Sequence, residues 1–282
     1  MALENTATMR LDINNRIINS SIITVNAGGT FDFNNNGDAI GYLAGAGSID
    51  LGSATVLLDM PNTGSGSDFS GDISGTGGLT LRGNSGGPTN RQILSGDSNY
   101  SGATTVSKGV LEIGHNNALG TAAGGTTVAN DAKLEINGGA GDLTIAENIT
   151  VGSGSGGIRN IAGDNTITGA VILSASADFQ EDTGSLTFTG GISSTANESV
   201  NLNGTFHITN STIDLNDGTL TVTGNGHSVA AASTIDVAGN DFALLLIHSD
   251  GYLQIGAANV LPSDADVEFG ASTQILSSGT LD

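Results

Sequence analysis

The chain has 282 residues, of which 37% are hydrophobic and 12% charged, and a mean hydropathy of +0.06, a balance that excludes a disordered tail. Its formal net charge is −21, from seven basic and 28 acidic residues, and the last basic residue is Arg159. Nucleic acids and anionic membrane surfaces attract basic proteins, so we expect neither as a partner. The acidity is expected to keep the surface soluble and self-repelling.

Glycine is the clearest anomaly of the composition, with 44 glycines against three prolines. Glycine adopts φ > 0 without steric cost, so a glycine-rich chain with β-branched runs is predicted to turn many corners. The absence of cysteine excludes disulfides, thiolate metal sites and thiol catalysis, but it does not argue against an extracellular location. No apolar stretch predicts a membrane-spanning helix, and residues 1–15 lack the pattern of a signal peptide, so an export signal is expected outside this sequence.

Pairs of apolar residues separated by one residue recur along the chain. Each pair predicts a short strand with one buried and one solvated face, because the intervening residues are mostly polar. In chain order these predicted strands are Leu111/Ile113, Leu134/Ile136, Leu143/Ile145, Val171/Leu173, Leu186/Phe188, Val200/Leu202, Phe206/Ile208, Ile213/Leu215, Leu220/Val222, Ile235/Val237, Leu253/Ile255 and Val267/Phe269.

The spacing of these strands favours a solenoid over a sandwich. Strands begin every six or seven residues between Val200 and Leu220, which leaves too little chain for most hairpins. Equivalent strands return after 23 residues from Leu111 to Leu134, and after 20 residues from Val200 to Leu220. Groups of this length match solenoid repeats. We therefore predict an all-β fold, a right-handed parallel β-helix of about a dozen coils with three short strands each.

Three segments rich in glycine, serine and asparagine interrupt this rhythm and are predicted to be protruding loops: residues 61–68, 83–90 and 152–157. No segment predicts a helix, and no shift of composition marks a domain boundary. We therefore expect a single parallel β-helix domain over residues 1–282, as a fragment or module of a larger surface protein.

The most specific pattern of the chain is LSGDSNYSGATTVSKGVLEIGHNNALGT at residues 94–121. It predicts a turn, a strand at 104–106, a break at Gly109, a second strand at Leu111 and Ile113, and a further turn. Glu112 is expected on the solvent face of that second strand. Related but weaker versions recur, and a partial second copy begins at Gly251.

This pattern resembles the autotransporter-associated β-strand repeat of bacterial surface proteins. The matching segments are GGLTL at 77–81, LSGDSNYSGATTV at 94–106, GVLEIG at 109–114 and NALG at 117–120. Segments 41–52 and 69–81 are similar to the linking coils between such repeats. The resemblance implies a parallel β-helix on the bacterial cell surface, and it implies no single activity because the repeat is a scaffold.

We therefore predict a non-enzymatic extracellular structural or adhesin-type β-helix, acting as a surface stalk or passenger scaffold. Two alternatives stay open: a filament or surface-layer subunit that polymerises end to end, and a β-helix enzyme active on polysaccharides. Seven cations and no tryptophan make a basic or aromatic-lined sugar cleft hard to assemble. The expected partner is a second copy or an unidentified host-surface or glycan ligand, with no direct membrane insertion. The three tyrosines are predicted to be structural; they are Tyr42, Tyr100 and Tyr252.

Two serine motifs resemble hydrolase signatures. GNSGG at 83–87 is similar to the nucleophile loop of chymotrypsin-like proteases. In those proteases the catalytic histidine precedes the serine in the chain, whereas the first histidine here, His115, follows this motif. Gly96-Asp97-Ser98 is similar to the first block of GDSL esterases, which sits on an α/β scaffold that this chain lacks. A loop and a turn built by Asp and Asn side chains are favoured instead. No catalytic, cofactor-binding or metal-ligating residue is predicted.

Metal ligands are not indicated by the histidines or by the acidic segments. No pair of histidines shows a spacing such as H-x-x-x-H; the four are His115, His207, His227 and His248. GGAGDLTI at 138–145 resembles the calcium nonapeptide of secreted toxins, but its Asp comes one residue early and no tandem copy follows. No cofactor is therefore expected, although carboxylates that could bind calcium weakly are plentiful, notably Asp264, Asp266 and Glu268.

Overall fold

The computed structural model describes residues 2–3, 6–61, 66–83, 90–152, 157–223, 233–235, 240–247, 252–255, 261–269 and 274–277. These residues form short strands joined by turns and bends, and they contain no helix that could cross a membrane. Strands pair in parallel with strands one coil away, so the predicted all-β solenoid of stacked coils is confirmed. The coils number about ten.

The chain divides into two compact units, Met1–Glu135 and Ile136–Asp282. The expected single domain over residues 1–282 stays a prediction. The strands of the first unit are β1 (Ala2–Leu3), β2 (Thr8–Arg10), β3 (Ile22–Val25), β4 (Thr30–Asp32), β5 (Ala39–Ile40), β6 (Tyr42–Gly45), β7 (Ser48–Asp50), β8 (Val56–Met60), β9 (Ser67–Phe69), β10 (Asp72–Ser74), β11 (Leu79–Gly83), β12 (Arg91–Leu94), β13 (Thr104–Ile113) and β14 (Thr126–Val128).

Strand β15 (Ala132–Asn137) includes the last residues of the first unit and the first residues of the second. The strands of the second unit are β16 (Thr144–Ile145), β17 (Ile149–Val151), β18 (Ile158–Ala162), β19 (Asp164–Ile167), β20 (Val171–Leu173), β21 (Ala177–Glu181), β22 (Ser185–Phe188), β23 (Ile192–Ser194), β24 (Val200–Asn203), β25 (Phe206–Ile208), β26 (Ile213–Asp214), β27 (Thr219–Thr223), β28 (Ser233–Ile235), β29 (Leu244–Ile247), β30 (Tyr252–Ile255), β31 (Asp266–Phe269) and β32 (Gln274–Ser277).

The first unit contains three parallel sheets. Sheet 1A consists of β1, β3, β6, β9, β12 and the second half of β13. Sheet 1B consists of β2, β4, β7 and β10, and sheet 1C of β5, β8, β11, the first half of β13 and β14. Phe31 pairs with Ile49, 18 positions later, and Leu81 pairs with Val106, 25 positions later. The returns after 20 and 23 residues that the sequence predicts fall within this range of coil lengths.

The second unit also contains three parallel sheets. Sheet 2A consists of β18, β21, β24, β27, β29 and β31, and sheet 2C of β17, β20, β23 and β26. Sheet 2B consists of β16, β19, β22, β25, β28, β30 and β32. Each strand therefore lies on the equivalent strand of a neighbouring coil.

Alternating apolar residues fill the interior of each unit. In β8 the odd positions of the strand are buried and the even positions are half-buried, as period-2 alternation requires. Leu58, Leu81, Val106 and Val128 are register partners on successive coils and are 0% exposed. Burying each such side chain contributes about 2 kcal/mol. In the second unit the Phe188 ring stacks on Phe206, with ring centroids 6.2 Å apart.

The predicted inward pairs are confirmed wherever both side chains are described. Nine of the pairs, from Leu111/Ile113 to Leu220/Val222, are buried at both positions, and Leu253 is buried as well. Val267 is half-buried. The side chains of Ile235, Val237, Ile255 and Phe269 lie outside the described residues.

The predicted break at Gly109 is a bend within one strand. β13 continues from Thr104 to Ile113, with Gly109 at φ +90°. Its first half pairs with β11 and β14 and its second half with β12, so Gly109 carries the backbone from sheet 1C to sheet 1A. Residues 95–103 and 114–125 form turns and bends instead of a third strand in the coils that carry the motif.

The predicted loops fall largely on undescribed residues. Positions 62–65, 84–89 and 153–156 lie outside the described residues, whereas Ser67 and Asp68, which the loop prediction included, belong to β9. Most of the corner of the second motif copy, at 256–260, is also outside them.

Glycines form a column at the corner that follows sheet 1A. A Cβ at Gly96 would overlap the carbonyl oxygen of Gly71, and a Cβ at Gly71 would overlap that of Gly47. Successive coils therefore approach more closely at this corner than any side chain allows. The column explains why the motif requires glycine at position 96.

We expect Gly71→Ala to lower the free energy of unfolding by about 2–3 kcal/mol, because the clash is with backbone that cannot rotate away. Urea denaturation followed by circular dichroism measures the loss. Gly141→Ala is the matched control, since a Cβ there meets no atom closer than 3.6 Å. Equal stability of both variants would contradict the steric argument.

Candidate functional site

The Gly96-Asp97-Ser98 motif does not assemble a nucleophile with a base. Ser98 is 4% exposed, and its hydroxyl accepts a hydrogen bond of 3.2 Å from the backbone N–H of Ile73 in the neighbouring coil. His115 Nδ1 lies 3.8 Å from Asp97 Oδ1 and accepts a hydrogen bond of 3.2 Å from the backbone N–H of Asn117. The serine and the histidine are thus held by different partners, as expected for a structural turn.

Tyr100 of the same motif lies inside the coil. It is 0% exposed, and its hydroxyl forms a hydrogen bond of 2.6 Å with Thr104 Oγ1. Gly120, at φ +81°, packs against the Tyr100 backbone and ring. Tyr42 is 2% exposed and donates its hydroxyl to the Pro61 carbonyl at 3.1 Å. These two tyrosines fill corners, as the sequence predicts, and the side chain of Tyr252 is not described.

The segment that resembles a calcium nonapeptide forms coil-to-coil hydrogen bonds. The Asp142 carboxylate accepts a hydrogen bond of 2.8 Å from the backbone N–H of Asp164. The Leu143 N–H donates to the side-chain oxygen of Asn165 at 2.6 Å, and Asn165 in turn donates to Asn160 at 2.6 Å. This corner thus joins neighbouring coils through an asparagine network.

A cluster of exposed carboxylates lies at one corner of the second unit. Desolvation, together with the negative charges of Asp217, Asp214 and Asp264, raises the pKa of the Asp241 carboxyl above its ordinary value. Asp266 and Glu268, which follow Asp264, are also exposed. Among the described residues, no group of three or more His, Asp or Glu side chains is arranged to hold a metal ion.

We expect Asp241→Asn to be more stable than the parent at pH 7 and this advantage to disappear in acid. A raised pKa means that the folded state binds the proton more tightly, so stability falls as the pH rises from about 4 through the folded-state pKa. Thermal melts of both proteins at pH 7 and at pH 3 measure the difference. Asp178→Asn, an exposed change in β21, is the control, and an Asp241 variant that matches it at every pH would contradict the prediction.

The most enzyme-like arrangement in the first unit was missed by the sequence reasoning. Glu112 and Glu135 occupy positions expected to be solvated, yet their side chains are only 7% and 2% exposed. Both pair with Arg91, whose Nη1 contacts Glu112 Oε2 and whose Nη2 lies 2.5 Å from Glu135 Oε2. The tripeptide Leu-Glu-Ile, which ends at Ile113 and again at Ile136, was the available signal.

Two further arginine pairs also join neighbouring coils. Arg82 contacts Asp59 with two hydrogen bonds of 3.0 and 3.1 Å, and Arg159 contacts Asp182 with two of 2.6 and 3.1 Å. In each pair the partners are 23 positions apart, which is one coil. These guanidinium groups are therefore committed to carboxylates and are poorly placed to bind an acidic substrate.

The remaining candidates do not converge on one site among the described residues. His207 is half-buried on β25, where it is the register partner of Thr187. Ser85 of the GNSGG motif, His227 and His248 lie outside the described residues.

Comparison with known proteins adds no relative: no family model, no curated protein and no solved structure matches this chain.

Proposed function

We propose that the chain is a non-enzymatic, structural or adhesin-type β-helix that acts extracellularly as a surface stalk or passenger scaffold. The observation that carries the proposal is that chemistry-bearing side chains contact neighbouring coils. Ser98, Arg91 and Asp142 hold a backbone N–H or a carboxylate one coil away. Side chains used in this way stabilise a stack of coils and are unsuited to bind and release a substrate.

The resemblance of residues 94–121 to autotransporter-associated repeats supports the location in this proposal. Such a passenger functions by holding loops or a further domain away from the bacterial surface. A net charge of −21 favours a solvated surface that resists aggregation.

Surface display tests the passenger role. The chain, with an epitope tag at its N-terminus and a secretion signal, is fused to an autotransporter translocator barrel in a bacterial host. We expect the tag to be labelled on intact cells and removed by added protease. The same fusion without the barrel is the control, and a tag that stays inside the cell although the purified chain folds would count against the proposal.

The buried pair Glu112 and Glu135 is the specific observation that favours a polysaccharide-active enzyme as the second candidate. Glycoside hydrolysis uses two neighbouring carboxyl groups, although here both contact the Arg91 guanidinium group. A panel of polysaccharides, incubated with the purified chain with and without calcium, tests for activity. Activity that Glu112→Gln or Glu135→Gln abolishes in a folded protein would replace the scaffold proposal with an enzymatic one.

A further inference from the structure

The segment of residues 12–20, between β2 and β3, is irregular and exposed. None of its residues belongs to a strand, and all are exposed except Ile17, which is half-buried. The buried Asp38 carboxylate accepts hydrogen bonds from the backbone N–H groups of Arg16 at 2.8 Å and Ile17 at 3.1 Å. Exposed backbone outside the sheets is the preferred site of proteolytic nicking, because it opens at little cost in free energy.

Arg16 is the only lysine or arginine of the chain that lies outside a strand. All seven such residues are described, and the other six belong to β2, β11, β12, β13, β15 and β18; they are Arg10, Arg82, Arg91, Lys108, Lys133 and Arg159. Residues 160–282 contain neither lysine nor arginine. Trypsin-class proteases place the basic side chain that precedes the cleaved bond in a pocket containing an aspartate. Arg16 is the one side chain that suits this pocket and also lies on backbone outside the sheets.

Arg10, six residues earlier, shows how a strand protects the bond that follows a basic residue. Arg10 is the register partner of Asp32, and the N–H of Leu11 donates to the Asp32 carbonyl at 2.8 Å. The Arg10 guanidinium group also donates to Asn34 Oδ1 at 2.6 Å. A protease binds its substrate as an extended strand, so cleavage after Arg10 requires that β2 first separates from β4.

The Asp38 carboxylate lies where cleavage after Arg16 creates a positive charge. Water supplies the oxygen of the new Arg16 carboxylate and the two protons that turn the Ile17 N–H into an ammonium group. In the intact chain this nitrogen already donates to Asp38 Oδ2, and Asp38 is only 4% exposed. A hydrogen bond between an ammonium group and a carboxylate is about twice as strong as a neutral one. The cut therefore strengthens a contact that is already in place.

Strands on both sides of this bond hold the two pieces of a cleaved chain together. On the N-terminal side β2 pairs with β4, and the Asn36 side chain donates to the Leu11 carbonyl at 2.8 Å. On the C-terminal side β3 pairs with β6 from Ile22 to Val25. Cleavage after Arg16 thus gives a nicked chain in which both pieces keep their places in the sheets.

We propose that the Arg16–Ile17 bond is a processing site for trypsin-class proteases, and that Asp38 binds the ammonium group of the new Ile17 N-terminus. Processing stops after one cut, because the other lysines and arginines are protected by their strands. The proposal does not depend on the scaffold function, and either can fail without the other.

Limited digestion of the purified, folded chain with trypsin tests the processing site. Mass spectrometry should find cleavage after Arg16 about tenfold or more faster than at any other position, since cleavage follows the ease of local opening. The two fragments should elute together from a size-exclusion column. Arg16→Gln should remove this cut, whereas Arg10→Gln removes the same charge from β2 and should leave it unchanged.

Labelling of the new amino group tests the role of Asp38. Acetic anhydride should acetylate the Ile17 amine of the nicked parent about tenfold more slowly in the folded chain than in urea, because a paired ammonium group is a poor nucleophile. Asp38→Asn should lose this protection, and Asp178→Asn, an exposed change in β21, should keep it.

Three results would each overturn the proposal. The first is a faster cut at another position, and the second is a folded chain that resists cleavage after Arg16 under conditions that digest it in urea. The third is an Ile17 amine that is acetylated as fast in the folded nicked parent as in urea, a result that needs no variant to fold.

Discussion

Ile113→Asp is expected to unfold the coils around it and to lower the free energy of unfolding by about 5 kcal/mol. Ile113 is 0% exposed and is the register partner of Leu94 in sheet 1A. The substitution removes apolar contacts and places a carboxyl group where no water reaches it. Since a domain is stable by only about 5–15 kcal/mol, a loss of this size is visible as lost β signal.

Circular dichroism and urea denaturation of the Ile113 variant measure this loss. Thr127→Asp introduces the same side chain at an exposed position and should change stability by about 0.5 kcal/mol or less. An Ile113→Asp protein as stable as the parent would show that this position is not part of the core.

Arg91→Met is expected to cost about 3–5 kcal/mol of stability, because it leaves two buried carboxylates without their shared cation. The Glu112 and Glu135 side chains are 7% and 2% exposed, so water cannot replace the guanidinium group.

Arg82→Met is the matched control for this experiment. Arg82 makes the same kind of contact with Asp59, but its side chain is 57% exposed. Exposed pairs contribute about 0–1 kcal/mol, so this variant should remain close to the parent. Glu112→Gln/Glu135→Gln added to Arg91→Met should restore part of the lost stability. If both arginine variants behave alike, burial does not govern the Arg91 cluster.

The sequence was sufficient to predict the solenoid because its interior follows a simple rule. Alternation at Leu111 and Ile113 specifies a strand with one inner face, and its return at Leu134 specifies the length of a coil. Burial of these residues confirms the inner face, and the pairing of β13 with β15 confirms the return. Coil length is readable because each coil must bring equivalent residues into register with the next.

The Arg91 cluster could not be predicted from the same rule. Alternation places Glu112 and Glu135 on the outer face, and an outer position is normally solvated. Whether it is buried depends on what other parts of the chain lie over that face, which local pattern does not record. The bend at Gly109 was located from sequence, but its role in linking two sheets depends on which strands each half of β13 joins.

The glycine column at positions 47, 71 and 96 has a consequence for mutational tolerance. A codon change at these positions almost always adds a side chain, and the added Cβ meets backbone rather than a movable neighbour. Outer strand positions, by contrast, accept many polar residues without altering the stack. Sequences of this kind should therefore diverge quickly along their surfaces while their corners stay fixed, so related chains are best recognised by regularly spaced glycines.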